Sequence, residues 1–481
     1  GILMSMYHHE RRQHAVLATI ALLVAIVLIA LGAFFYQRGN SDKTAPRAWS
    51  LFEWLIPCRR AEQTPSLMRY LLGFDEPRTF LVLFLNNMEM RPAGGFIGTY
   101  ALVEMDNGRL TDLFIEGTEL LDARAPARQV TYPPPKPLQD YLKITEWQFR
   151  DANWSPDFAE SAAWALWLYK IEGGRAADRI DGVIGITATV LDELVNLTGP
   201  LTANDVTLRP GSAADDLEYE VEFAFASRGI PLKERKAILH DLGKAMARRL
   251  VGMAPMQWKN IIDTFERLGR EKHLMIYSVY PELQEVIRGH NWDGEMQPFA
   301  GDGFMVVDAN LGALKTDHAM RRYYNYTVRP SASPAGKRQN EFEGTLTARY
   351  EHRGAYDWRT SRYRSYTRVY LPEDAVVTNV EGFVDPEHPE WELPPDRGSR
   401  AGMQVLGGYV RVGSGETQDI VVTYTLPPRV AKQVTDGVYT FSVQKQLGLI
   451  DPQLTLDLDF GTKRHTETRV LKEDYALTLP L

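Results

Sequence analysis

The hydrophobic pattern of this chain changes once, near residue 318, and that change limits the folds open to it. Between residues 66 and about 310, short apolar runs alternate with helix-like segments. After residue 318 the apolar residues recur with period two, as at 345–350 and 454–460. Alternating strands and helices indicate an α/β layer domain, whereas successive alternating strands with almost no helix indicate a sandwich. We therefore predict an α/β domain with a mixed sheet at 66–317 and an antiparallel, immunoglobulin-like β-sandwich at 318–481.

The first domain can be divided further by its apolar runs and turn signals. Asp106-Asn107-Gly108 predicts a tight hairpin between two strands. The apolar stripe of the helix that starts near residue 159, which includes Trp164 and Trp167, predicts a core-facing surface. Strands are predicted at 79–85, 96–105, 109–115, 180–187, 273–278 and 303–308, and helices at 159–171, 188–197, 232–251, 256–269 and 280–289.

Residues 15–36 contain no charged side chain. At 1.5 Å per residue a helix of this length spans about 33 Å, which exceeds the roughly 30 Å of a bilayer's hydrocarbon core. We predict a retained transmembrane helix at 15–36, a cytoplasmic tail at 1–14 and a stalk or linker at 37–65. A cleaved signal peptide is the alternative, although its apolar region is usually shorter. Basic residues flank both ends of the segment, so charge alone leaves the orientation open.

A polar turn at 86–95 joins the first two predicted strands and concentrates charge at one end of the sheet. Arg91 offers a planar fork of donors that matches phosphate oxygens, and the backbone at Gly94-Gly95 can add to an anion nest. Glu89 is placed to act as a base on an incoming hydroxyl. The structural alternative is a plain turn in which Glu89 and Arg91 form a surface ion pair.

A second polar segment, at 150–157, precedes the predicted helix at 159–171. Arg150 joined to Arg91 would hold a pyrophosphate, and carboxylates beside it would hold Mg²⁺. Asp157 also suits a helix N-cap, which is its structural alternative. The predicted catalytic residues are Glu89, Arg91, Arg150, Asp151 and Asp157, the ligand-binding residues are Asn86, Asn87, Gly94, Gly95 and Asn153, and the metal ligands are Asp151 and Asp157.

Four segments together resemble the motifs of the bacterial "domain of unknown function 4012" family. The resemblance spans about residues 78–450, and the order of the motifs matches. It implies a cytoplasmic N-terminus with the bulk of the chain outside the cell membrane, and no established chemistry. The motifs are 86–100, then 150–158, then 183–186 with 197–200, and finally 302–304 with 310–312 and 315–317.

The order of strand, arginine-bearing turn, strand, Arg150-Asp151 and helix is also distantly similar to the LytR-CpsA-Psr enzymes. These membrane-anchored phosphotransferases move glycopolymers from polyprenyl pyrophosphate onto the cell wall. The resemblance implies that Arg91, Arg150 and Asp151 bind pyrophosphate. The chain departs from that family in lacking an Ile-Pro-Arg-Asp-Thr run and an arginine-rich helix that ends in Arg-Gln.

Charge and composition narrow the partners. The net charge of −8 argues against nucleic acid as a partner. One basic series with interleaved tyrosines is a solvated face or, alternatively, a contact for wall glycopolymer; it comprises Arg349, Arg353, Arg359, Arg362, Arg364 and Arg368.

We therefore predict a single-pass, membrane-anchored, extracytoplasmic envelope protein that binds cell-wall or surface glycopolymer. Two alternatives remain. A LytR-CpsA-Psr-like phosphotransferase would use Mg²⁺ and a polyprenyl-phosphate lipid, and would need an apolar tunnel for that lipid. A structural surface or secretion-system subunit would expose a large apolar patch.

Overall fold

The computed structural model describes residues 64–107, 109–125, 130–203, 205–220, 224, 242, 245–246, 249, 255–312, 314–331, 341–461 and 463–481. The predicted tail at 1–14, the transmembrane segment at 15–36, nearly all of the stalk and most of the helix predicted at 232–251 lie outside these residues. Within the described ranges, no helix is both long and apolar enough to cross a membrane.

The described elements follow in chain order. The first part contains α1 (Thr64–Leu71), β1 (Arg78–Asn86), β2 (Phe96–Asp106), β3 (Arg109–Gly117), α2 (Thr118–Asp122), α3 (Lys136–Leu142), α4 (Phe158–Ile171), β4 (Gly182–Thr187), α5 (Thr189–Thr198), β5 (Leu201–Ala203), β6 (Val206–Leu208), α6 (Ala213–Tyr219), α7 (Pro255–Arg270), β7 (Leu274–Ser278) and α8 (Pro281–Gly289). The second part contains β8 (Asp302–Asn310), β9 (Met320–Pro330), β10 (Phe342–His352), β11 (Tyr363–Pro372), β12 (Val376–Glu381), β13 (Asp396–Arg400), β14 (Met403–Val412), β15 (Thr417–Thr425), α9 (Pro428–Thr435), β16 (Val438–Gln444), β17 (Gln453–Asp459), β18 (Arg464–Val470) and β19 (Tyr475–Pro480). Short 3₁₀ turns lie at Phe149–Asp151, Ala177–Arg179 and Thr316–Ala319.

The chain forms two compact units, and each draws on separate stretches of sequence. The first holds the described residues up to Asn87, together with Gly94–Pro133 and Glu146–Glu295. The second holds Met88–Ala93, Pro134–Thr145 and Met296–Leu481. A change of sequence pattern can mark only a continuous boundary, so it could not assign the two short segments of the second unit.

The first unit is built on a five-stranded mixed sheet in the order β3-β2-β1-β4-β7. Strands β1 and β4 run parallel, and the other neighbours pair antiparallel. Both parallel strands are buried along almost their whole length, which is why their sequences are continuously apolar. Their carboxyl ends lie at the same edge of the sheet, and the first family motif begins there.

The second unit contains two six-stranded sheets, in the orders β12-β15-β10-β9-β17-β18 and β13-β14-β11-β8-β16-β19. One hydrophobic cluster takes side chains from both sheets, for example Phe304 of β8 and Tyr326 of β9. Each sheet includes one parallel pair, β9 with β17 and β8 with β16, which period-two alternation cannot distinguish from antiparallel pairing. The mixed α/β class is confirmed, and the immunoglobulin-like sandwich stays a prediction.

Strand β8 belongs to the unit with which it pairs and not to the unit that precedes it in the sequence. Its residues were expected to close the α/β alternation, yet β8 pairs with β11 and β16 and belongs to the second unit. The expected alternation is confirmed along β17, where Leu454, Leu456 and Leu458 are buried and the residues between them are partly exposed.

A buried ion network lies inside the second unit. Arg322 of β9 donates from Nε to Asp308 Oδ2 at 2.6 Å and from Nη2 to Asp317 Oδ1 at 2.5 Å. The exposed fractions of these three side chains are 4%, 0% and 2%. Tyr350 donates its hydroxyl to the other oxygen of Asp308 at 2.8 Å. Buried charges of this kind persist because each has partners of opposite sign.

Asp192 of α5 gives the first unit a predicted pH dependence. Its Oδ1 accepts the Ala214 backbone N–H at 2.8 Å, and burial raises the pKa of Asp192 from 3.8 to about 6. Because the folded pKa lies above the unfolded one, this carboxyl's contribution to stability is complete below pH 3.8 and is lost as the pH rises through about 6. We expect Asp192→Asn to raise the free energy of unfolding by about 2–3 kcal/mol relative to the parent chain at pH 7.5, and to change it little at pH 4.

Urea unfolding of both chains at the two pH values measures this difference. Asp178→Asn, which removes an exposed carboxylate from the same unit, controls for the loss of one charge. Equal pH dependence in Asp192→Asn and the parent chain would contradict the burial argument.

Candidate functional site

The polar residues of the first motif that belong to the first unit hold the end of its sheet together. Asn87 donates from Nδ2 to Thr189 Oγ1 at 2.9 Å, where α5 begins. Asn153, from the second motif, donates from Nδ2 to the Gly95 carbonyl at 2.6 Å. The backbone of Asn86 lies against Gly95, where an added Cβ would lie 2.4 Å from the Asn86 carbonyl carbon. The structure thus brings four of the predicted ligand-binding residues together through structural contacts.

Gly94 and Gly95 both have positive φ, at 107° and 142°. At Gly95 this conformation and the close approach of the Asn86 backbone together require glycine. The glycine pair therefore has a local structural reason, and its use as an anion nest stays a prediction.

The intervening segment, Met88–Ala93, is part of the second unit and contacts the predicted fourth motif there. The Met90 N–H donates to Asp317 Oδ2 at 2.9 Å, and the Asn310 N–H donates to the Met90 carbonyl at 2.9 Å. Arg91 donates from Nη1 to the Asn310 carbonyl and pairs with Glu89 at 3.4 Å. The ion pair of the structural alternative is present, although it is buried and not on the surface.

The second motif lies in the first unit. Arg150 pairs through Nε with Asp122, which is almost fully buried. Burial raises the pKa of Asp122, and the Arg150 charge opposes that rise. Asp151 is buried as well, and its carbonyl accepts the Trp147 indole N–H at 2.9 Å. The sequence did not identify Asp122 as a partner of Arg150, because the two are far apart in the chain.

Asp157 is the N-cap of α4, as its structural alternative predicted. Its Oδ1 accepts the Glu160 backbone N–H at 3.0 Å. Across the described ranges of the chain, no group of three or more His, Cys, Asp or Glu side chains is placed to hold a metal ion. Magnesium binding by Asp151 and Asp157 stays a prediction, as does joint pyrophosphate binding by Arg150 in the first unit and Arg91 in the second.

The second unit has a groove of about 740 Å³ that we call the α3 groove. Helix α3 and Lys143 form one side, and residues from β11, from 383–396 and from β14 form the rest. Its volume falls within the range of ordinary ligand sites, about 300–1,000 Å³. The groove combines aromatic rings with charged side chains of both signs.

The aromatic rings of the α3 groove form a row. Tyr141 of α3 stacks on Tyr409 of β14, with ring centroids 5.3 Å apart and planes at 26°. Tyr409 meets Tyr366 of β11 edge-on at 5.2 Å. Burial raises the pKa of Tyr141, and the charges of Arg364 and Arg411, which line the same groove, oppose that rise.

Beside the groove, Trp391 is 55% exposed and stacks on the lining residue His388, with ring centroids 4.2 Å apart. Sequence reasoning missed this site because its walls come from four distant segments. Arg364 was the one lining residue that the basic, tyrosine-rich series had identified.

The first unit carries a second aromatic cluster. Trp164 and Trp167 of α4, predicted to face the core, are only half buried and contact the exposed Tyr132 at 5.2 and 5.8 Å between centroids. Trp147 completes the cluster, 4.4 Å from Trp164. Periodicity correctly placed the two tryptophans on one face, but it could not show how completely that face is covered.

Comparison with known proteins supports one assignment. Residues 75–221 match the model of the family described as "Protein of unknown function (DUF4012)". No curated protein matches the chain in sequence.

Two solved structures are weakly similar to the chain. A Legionella pneumophila protein, provisionally named a nutrient binding protein, has a TM-score of 0.21 and 9% identity over 33% of this chain and 54% of its own. Protein gbs0355 from Streptococcus agalactiae has a TM-score of 0.26 and 13% identity over 45% of this chain and 74% of its own. This chain thus spans about half the length of the Legionella protein. The family predicted from the motifs is confirmed over residues 75–221, which match the DUF4012 model, and its extension to residue 450 stays a prediction.

Proposed function

We propose that this chain is a membrane-anchored protein of the cell envelope that binds wall or surface glycopolymer in the α3 groove. The observation that carries the proposal is the row of Tyr141 and Tyr409 within the groove, with Trp391 exposed nearby. A sugar ring has an apolar face of C–H groups, and an aromatic ring offers a large apolar face at little cost in side-chain entropy.

The polar side chains of the groove suit the hydroxyl groups of a sugar. Carboxylates accept hydrogen bonds at two oxygens, so Asp140 and Asp396 can each receive hydroxyl donors in addition to their present partners. Apolar faces combined with a few fixed polar groups are typical of sites that recognise small polar ligands.

The membrane anchor at 15–36 and the extracytoplasmic placement of both units belong to this proposal. The anchor is supported by the length of the uncharged segment, which suffices to cross a bilayer. An immunoglobulin-like arrangement of the two six-stranded sheets is also part of it, supported by the cluster that both sheets share.

The proposal predicts that the full-length chain, kept in detergent, sediments with purified cell walls of its own organism. Removing a stacking ring loses about 0.5–1.5 kcal/mol of binding free energy, so Trp391→Ala and Tyr141→Ala should each weaken binding by about 2- to 12-fold. The measurement is the bound fraction as a function of wall concentration.

Two variants serve as controls. Tyr356→Ala removes a 52% exposed ring of the second unit that does not line the groove, and Trp167→Ala removes a ring of the aromatic cluster in the first unit. Both should bind as the parent chain does. Normal binding by the two groove variants would contradict the proposal, and loss in Trp167→Ala alone would move the site to the first unit.

The phosphotransferase alternative makes a different prediction. It requires a polyprenyl phosphate or pyrophosphate that stays with the gently extracted chain and is lost in Arg91→Ala and Arg150→Ala. Native mass spectrometry distinguishes this outcome from wall binding without retained lipid. A structural surface subunit would show neither.

A further inference from the structure

Two arginines of the α3 groove face each other across one pair of strands. Arg364 of β11 and Arg411 of β14 are direct partners in the antiparallel register, two residues from the equally paired Tyr366 and Tyr409. The Cβ atoms of such partners lie about 4.5–5.5 Å apart, and like charges placed directly opposite destabilise a sheet. A pair of this kind needs something that offsets its repulsion.

The carboxylates that line the groove do not offset the repulsion between Arg364 and Arg411, because they have other partners or are exposed. Asp140 pairs with Lys136, and Asp396 accepts the Tyr366 hydroxyl at 2.9 Å. Asp385 accepts the backbone N–H groups of two following residues, each at 2.8 Å, and Glu387 is exposed.

Within the described residues, neither Arg364 nor Arg411 pairs with a carboxylate. Tyr141 lines the same groove and stays neutral, because burial raises the pKa of its hydroxyl, so it does not balance the two positive charges.

We infer that Arg364 and Arg411 form an anion-binding subsite in the α3 groove, which takes a phosphate or carboxylate group of the ligand. Guanidinium forks match the oxygens of both groups in geometry and charge. A sugar ring stacked at Tyr141 and Tyr409 would place an anionic substituent beside the two arginines. The subsite rests on the strand register and on the carboxylates of the groove being paired elsewhere, whereas its assignment to an anionic glycopolymer rests on the proposed function.

Inorganic phosphate, added to the full-length chain at constant ionic strength, tests the subsite directly. The Tm of the parent chain should rise by about 3 °C at ten times the phosphate Kd, because an anion that binds only the folded state stabilises it. Arg364→Gln and Arg411→Gln should equal or exceed the parent Tm without phosphate, since each relieves the repulsion. Both should lose the response to phosphate.

Arg349→Gln is the matched control, because Arg349 is an exposed strand arginine that already pairs with Asp419. It should respond to phosphate as the parent chain does. A parent chain that ignores phosphate, or an Arg411→Gln variant that keeps the response, would overturn the inference.

Polymer probes separate the two anion chemistries and the two claims. The probes are a poly(glycerol phosphate) wall polymer, an oligogalacturonate and neutral dextran. If the subsite accepts either anion, both anionic polymers should bind at least tenfold tighter than dextran. Preference for one anionic probe identifies the source of the anion. Equal binding of dextran would overturn the anionic specificity and leave the proposed function standing. A Tm increase with phosphate but no binding of any polymer would support the anion subsite and overturn the proposed glycopolymer binding.

Discussion

Replacing Arg322 by methionine is expected to lower the free energy of unfolding of the second unit by about 3–5 kcal/mol. Arg322 forms ion pairs with both Asp308 and Asp317, which are buried inside the protein. Burial alone would lower the pKa of Arg322, but the neighbouring tyrosines and the two carboxylates raise it overall, so the guanidinium stays charged. Methionine fills a similar volume. The loss of stability therefore comes from leaving two buried carboxylates without their cation.

Arg349→Met is the comparison that isolates burial. Arg349 of β10 also binds a carboxylate through two nitrogens, to Asp419, but the pair is about half exposed to solvent. Its removal should cost no more than about 1 kcal/mol. Urea titration monitored by hydrogen exchange in β9 and β10 reports the second unit. Equal losses in the two variants would mean that water reaches the Arg322 network.

Gly95→Ala is expected to destabilise the first unit by at least about 3 kcal/mol. The φ of 142° is unfavourable for alanine, and its Cβ would lie 2.4 Å from the Asn86 carbonyl carbon and 2.7 Å from the Asn87 nitrogen. Both neighbours are backbone atoms at the end of β1, so they cannot rotate away as a side chain could.

Gly173→Ala provides the control for the backbone conformation alone. Its φ is 77°, and nothing lies within 4 Å of the added Cβ, so the expected cost is about 1–2 kcal/mol. Tryptophan fluorescence follows the first unit, since Trp147, Trp164 and Trp167 belong to it. A Gly95→Ala loss no larger than that of Gly173→Ala would show that the turn relaxes.

The predicted motifs coincide with structural contacts in both units. Asn153 of the second motif binds Gly95 of the first, and Asp317 of the fourth binds Met90 of the first. These contacts give Asn153 and Gly95 a structural role, and ligand binding by the predicted residues stays a prediction. Arg91 and Glu89 fit the same interpretation, since each has its partner within the second unit.

Most of the regular elements could be predicted from the sequence. Buried strands such as β1 and β4 are continuously apolar, the alternation in β17 is regular, and Asp157 caps α4 as its position predicts. These features depend on local pattern and on backbone geometry, which a sequence records directly.

The α3 groove could not be predicted in the same way. Tyr141 and Tyr409 are separated by more than half of the chain and meet only because α3 belongs to the second unit. The facing of Arg364 and Arg411 depends on the register of β11 against β14, which period-two alternation does not specify. The basic series therefore pointed to one side of the groove and not to the site.

Hydrogen exchange of the full-length chain, with and without soluble wall glycopolymer, tests the central claim most directly. Binding in the α3 groove predicts slower exchange in α3, in β14 and around Trp391, with no change in α4. Protection confined to α4 and the first unit, or no protection anywhere at saturating glycopolymer, would contradict the account.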